Sequence, residues 1–151
     1  MHFVDSNVLL YSVSTDPAET EKLAIARAIL LEGDFVLSVQ VLQEFFVQAT
    51  RNSRTGRLTH EQAVGLITTW SRVPIQELTR DIVVNAMAAA QRWQISYWDA
   101  AIIESARAAR CATVISEDLH DGQNFDGVRV LNPFRRPGAT AIPNEERGSR
   151  D

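Results

Sequence analysis

At 151 residues the chain is about one domain long, and 45% hydrophobic with 23% charged residues is the balance of an ordinary soluble globular fold. A net charge of −4 argues against a protein that coats nucleic acid by electrostatics alone, and no apolar run approaches the ~20 residues of a membrane helix. The N-terminus lacks a secretory pattern and the single cysteine, Cys111, has no internal disulfide partner, so a reducing cytoplasm is the expected location, without membrane attachment.

His2 to Asp5 reads as a short buried strand, and Asn7 to Val13 as a brief helix stopped near Asp16-Pro17. Asp16 with Pro17 opens a second helix whose apolar positions Leu23, Ala26, Ile29 and Leu30 face a core, and Gly33 ends it. Phe35 to Leu37 is a second strand. Val39 to about Arg51 follows as a helix, then a polar loop to Arg57. Thr59 with Gln62 forms a capping box for a helix through Trp70. Pro74-Ile75 fits an edge strand, Thr79 to Trp93 a helix, and Ser96 the start of another that runs from Tyr97 to Ala109. Ala112 to Ser116 and Val128 to Leu131 complete the strands. Strands alternating with helices predict an α/β fold, a mostly parallel central sheet covered on both faces. From Arg135 the chain loses its large apolar residues save Ile142, so the expected organisation is a folded domain over 1–134 and a flexible tail over 135–151.

Four carboxylates interrupt this pattern at element boundaries: Asp5 in Phe-Val-Asp-Ser-Asn, Glu44 in Val-Leu-Gln-Glu-Phe-Phe, Asp99 in Ser-Tyr-Trp-Asp-Ala-Ala, and Asp118 in Val-Ile-Ser-Glu-Asp-Leu. Each has a plain alternative. Asp5 suits a helix cap, Glu44 a solvated helix face, Asp99 the Ser-x-x-Asp capping box with Ser96, and Asp118 a turn. In an open α/β sheet, however, ligands bind beyond the carboxyl ends of the strands, where Asp5 and Asp118 both fall. Carboxylates gathered there repel one another until a proton or cation relieves them, and hard oxygen donors without His or Cys suit Mg²⁺ or Mn²⁺.

In this order and at these element ends, the four motifs resemble the PIN-domain nucleases over about residues 2 to 133. The layout is most similar to the VapC-type toxins of bacterial toxin–antitoxin modules. The resemblance implies a three-layer α/β/α PIN-like fold and a metal-dependent ribonuclease in which Asp5, Glu44, Asp99 and Asp118 bind Mg²⁺ (or Mn²⁺) and carry catalysis. Ser6, Ser116 and Glu117 are expected as supporting polar groups, Glu117 as a candidate to share the metal. It further implies RNA as substrate, a cognate antitoxin as partner and a homodimer. The competing reading is a non-catalytic module whose acidic cleft recognises a protein.

Lys22 is the only lysine against fourteen arginines. Arg51, Arg54 and Arg57 form the densest basic cluster and are the candidate RNA contacts, a solvated loop being the alternative. Trp98 is read as core or cleft wall in preference to a base-stacking group. Trp70, Trp93 and Cys111 read as structural, His120 as incidental. Phe45, Phe46 and the helix around Leu23 to Leu30 are candidate interface surfaces, equally explained by core packing.

Overall fold

The computed structural model describes residues 1–135. Apart from Arg135 itself, the expected tail lies outside the described residues. Strand β1 (His2–Val4) leads into helix α1 (Ser6–Tyr11). A 3-10 turn at Pro17–Glu19 then runs into α2 (Thr20–Glu32), followed by β2 (Phe35–Ser38), α3 (Val39–Ala49), α4 (His60–Trp70) and β3 (Ile75–Gln76). Helices α5 (Arg80–Trp93) and α6 (Tyr97–Ala108) precede β4 (Thr113–Ile115), β5 (Asn124–Phe125) and β6 (Val128–Leu131). The six strands form one sheet in the order β3-β2-β1-β4-β6-β5. All neighbours are parallel except the β5–β6 hairpin.

The continuous apolar character of β1, β2 and β4 follows from their place in the middle of a parallel sheet, where no face meets water. Phe3 pairs with Val36 on one side and Val114 on the other, and Phe3, Val4, Leu37, Val114 and Ile115 are fully buried. The helices surround the sheet. Phe45 of α3 sits in the core at 0% exposure, edge-on to Trp70 with centroids 4.7 Å apart. It is therefore a core residue and not an interface one. Trp93 packs edge-on against Phe125, and Cys111 is buried, as their sequence contexts suggest. Small side chains let α5 and α6 approach: Ala86 and Ala89 meet Ala100 and Ala101 in a separate apolar cluster.

The caps explain where helices begin. Ser38, Thr59, Thr79 and Ser96 each accept a backbone N–H three residues on, and at Thr59 the Gln62 side chain completes the box. Asp16 accepts from Ala18 N–H ahead of the 3-10 turn. The loop after α3 turns back onto the segment after α1 at Gly56. Its φ is +68°, and an added Cβ would stand 2.0 Å from Thr15 Oγ1.

One strand is absent from the sequence reading. β5 pairs antiparallel with β6 through the two-residue turn Asp126-Gly127, both at positive φ (50° and 94°). That is the favoured geometry for a two-residue hairpin, and Asp-Gly is one of its strongest sequence signals. Arg107 secures the hairpin by donating to the Phe125 and Asp126 carbonyls (2.6 and 2.8 Å). No helix among the described residues is long and apolar enough to cross a membrane.

Candidate active site

The chain runs from β1 outward to β2 on one side and from β4 outward to β6 on the other, so the crevice of the sheet falls between β1 and β4. Asp5 leaves β1 at that point, its backbone N–H donating to Ile115 O of β4 (3.0 Å). Asp5 also caps α1: Ser6 N–H donates to Asp5 Oδ1 at 2.7 Å. The cap role and the site role thus coincide in one buried side chain, 5% exposed.

Ser116, at the end of β4, is fully buried, and its hydroxyl donates to Asp5 Oδ2 at 2.7 Å. Ser116 Oγ in turn accepts from Asp118 N–H (3.2 Å) and from Asn7 Nδ2 (3.1 Å). Ser6 reaches the other way, its Oγ donating to Glu44 Oε2 at 2.9 Å. The expected supporting serines therefore join Asp5 to the Glu44 carboxylate on one side and to the Asp118 backbone on the other. Asp99 enters from the first turn of α6. Ser96 Oγ accepts its N–H (3.1 Å), capping α6 beside the carboxylate.

The electrostatics mark these four as one group. Burial pushes the Asp5 carboxyl up to about 7, the Ser116 and Ser6 hydrogen bonds oppose this, and the negative charges of Glu44 and Asp118 add to it. Asp99 is likewise raised, mainly by desolvation and also by the charge of Asp118, with a Ser96 hydrogen bond pulling the other way. Among the described residues, none of the four carboxylates forms an ion pair with Lys, Arg or His. Nor do any three His, Cys, Asp or Glu side chains approach closely enough, as placed, to enclose a metal ion. Glu44 is turned to Ser6 and Gln40, and Asp118 to Asn7. The donor set fits a hard divalent cation in kind and in uncompensated charge.

Two organising residues escaped the sequence reading. Buried Asn7 donates from Nδ2 toward Ser116 Oγ (3.1 Å), Asp118 Oδ2 (3.3 Å) and Asp5 Oδ2 (3.5 Å), and its Oδ1 accepts Glu117 N–H (3.2 Å). Gln40 Nε2 donates both to Glu44 Oε1 (2.9 Å) and to the Trp98 carbonyl (3.2 Å), tying α3 to the start of α6. The i, i+4 spacing of Gln40 and Glu44 on one helix face was the available signal.

Glu117 stands apart from the four. Its carboxylate is bound by Lys22 and by the Tyr11 hydroxyl, with Lys22 also 3.1 Å from Tyr11 Oη. Unlike the four, it is neutralised by a basic side chain, and its backbone N–H joins the Asn7 network. Asp121 is structural, accepting Asn132 N–H at 2.9 Å; His120 is exposed.

The three arginines divide. Arg54 approaches the Leu10 carbonyl at the end of α1 (3.5 Å), and Arg57 hydrogen-bonds Asn52 within its own loop. The exposed Arg51 guanidinium has no hydrogen bond or ion pair to a described residue. Trp98 corrects the core reading: it is 65% exposed.

These features define an α/β protein with an acidic crevice at the switch point of a mostly parallel sheet. The PIN domain family model matches residues 2–122, and the chain belongs to that family. No curated protein matches the sequence. Among solved structures it is similar to VapC20 of Mycobacterium tuberculosis, described as a toxin that cleaves the sarcin-ricin loop, at 16% identity and TM-score 0.61 over 78% of this chain and 90% of that one. It is similar also to a toxin–antitoxin complex from Klebsiella pneumoniae (20% identity, TM-score 0.63, 89% and 98% covered). A third is DNA-bound VapBC from Salmonella typhimurium (15% identity, TM-score 0.58, 85% and 95% covered).

Proposed function

We propose that the chain is a divalent-metal-dependent ribonuclease, the VapC-type toxin of a toxin–antitoxin pair. The observation that carries this is the set of Asp5, Glu44, Asp99 and Asp118 at the crevice, electrostatically coupled and unpaired with any basic residue among those described. Family membership and the toxins among the similar structures support it.

The four carboxylates would hold Mg²⁺ or Mn²⁺, which when bound supplies charge neutralisation and a water acidified enough to attack phosphorus. The rest falls to the protein. Ser116 and Ser6 N–H fix both oxygens of Asp5, Ser6 Oγ and Gln40 fix those of Glu44, and Asn7 steadies Asp118. Preorganised donors of this kind spare the side chains from reorganising as charge develops on the phosphodiester. The partner of such a toxin is an antitoxin protein, and a homodimer is the expected assembly.

The test is cleavage of total RNA by the purified, partner-free chain in Mg²⁺, Mn²⁺ or EDTA, beside Asp99→Asn. Discrete fragments that require metal, and fall on the order of a hundredfold in Asp99→Asn, are expected. Intact RNA after incubation with the folded, metal-supplied protein would overturn the proposal and favour the protein-recognition module.

A further inference from the structure

We propose that Trp98 is a platform on which an unpaired base of the substrate stacks beside the acidic crevice. The inference rests on the ribonuclease reading above and deepens it.

Three tryptophans occur in the chain, and two have structural explanations. Trp70 is 9% exposed against Phe45, and Trp93 packs on Phe125. Trp98 is 65% exposed, an unusual cost for the largest aromatic side chain. It immediately precedes Asp99 in the first turn of α6, and its carbonyl accepts from Gln40 Nε2, the same amide that orients Glu44. Its backbone is thus anchored to two of the four carboxylate-bearing segments. Tyr97 meets the indole edge-on, with centroids 5.1 Å apart and planes at 77°. Such a contact restrains the ring yet occupies no more than one of its faces.

The surroundings favour a nucleobase over a protein segment. Beyond Tyr97 on its ring, Trp98 adjoins Asp99 in sequence and is held at its carbonyl by the Gln40 amide that also binds Glu44, and an apolar peptide laid across this edge would bury carboxylates at high cost. A base needs an aromatic face alone for its apolar contact and keeps its edges and phosphate in polar surroundings. In a duplex both faces of each base are stacked internally, so this contact selects unpaired RNA.

The test uses the full chain carrying Asp5→Asn to suppress cleavage, and fluorescence anisotropy with a labelled 12-nucleotide oligouridine and a duplex RNA of equal length. Trp98→Ala should weaken single-strand binding roughly five- to hundredfold, Trp98→Phe should restore most of it, and duplex binding should ignore residue 98. The slope of affinity against salt should stay the same in Trp98→Ala, because no phosphate contact is lost. Equal single-strand affinity with and without the Trp98→Ala change, both proteins folded by circular dichroism, overturns the platform. So does a Trp98→Ala chain that keeps RNA affinity but no longer binds a co-expressed antitoxin, which assigns the indole to the protein partner. The two readings fail differently. Wild-type and Trp98→Ala chains that cleave RNA with equal KM sink the platform and leave the nuclease standing, whereas a wild-type chain that cleaves nothing sinks both.

Discussion

Asp5→Asn should stabilise the metal-free protein at neutral and alkaline pH. The carboxyl is held at about 7 against an ordinary 3.8, with burial the largest cause. The folded state therefore keeps the proton more tightly than the unfolded chain does. Stability is fully present below about pH 4 and declines as pH rises toward 7, where Asp5 ionises inside the fold. At 1.36 kcal/mol per pKa unit the penalty approaches ~4 kcal/mol. Asparagine cannot ionise and retains an oxygen for Ser6 N–H, but its amide nitrogen replaces Oδ2, so the Ser116 hydroxyl loses its acceptor there and the Ser6 bond loses its charge assistance. A net gain of about 2–3 kcal/mol, roughly 5–12 °C in Tm, is expected above pH 7.5 and almost none at pH 4.5. Differential scanning calorimetry in EDTA across that range measures it. Adding Mg²⁺ or Mn²⁺ should narrow the gap, since a cation binding the ionised wild-type site stabilises only the folded wild type. Parallel Tm–pH curves for the two proteins, or an Asp5→Asn protein less stable than wild type at pH 8, would refute the argument.

Glu117→Gln should leave metal-dependent RNA cleavage within a few-fold of wild type, because Lys22 and Tyr11 already hold that carboxylate; a loss matching that of Asp118→Asn, by initial rates on one RNA, would contradict it. Its stability should change by no more than about 1 kcal/mol, the pair being partly solvated. Gly56→Ala should cost about 1–3 kcal/mol by chemical denaturation, since Cβ meets both a positive φ and Thr15 Oγ1. Adding Thr15→Ala should recover the contact part and leave the dihedral part, and strict additivity of the two changes would show that the close approach is not what limits the site.

The fold was legible where local pattern and global placement agree. Phe3-Val4, Phe35 to Leu37 and Val114-Ile115 are apolar throughout because the sheet buries both their faces, and the caps at Thr59 and Ser96 are chemistry within three residues. The four acids stood out because carboxylates after strands (Asp5, Asp118) or within apolar helical segments (Glu44, Asp99) conflict with their surroundings. β5 was overlooked because two residues carry almost no periodicity, although Asp126-Gly127 was a usable sign of its turn. The Lys22–Glu117 pair joins positions 95 apart, and nothing local to either residue announces it. Trp98 misled because Ile102 and Ile103 make its helix look buried, while the first turn projects beyond the core.

The order of strands in space has a consequence for synthesis. β1 is the first strand to be made, yet it lies between β2 and β4, and Asp5 meets Ser116 across 111 positions of chain. A growing polypeptide can pair β1 with β2 early, but no shorter nascent chain brings the Asp5 carboxylate beside Asn7, Ser116 and Asp118 together. At translation speeds of about 5–20 residues per second, the crevice stays unassembled for several seconds after Asp5 is made. The carboxylate site is thereby withheld until nearly the whole folded domain has been made.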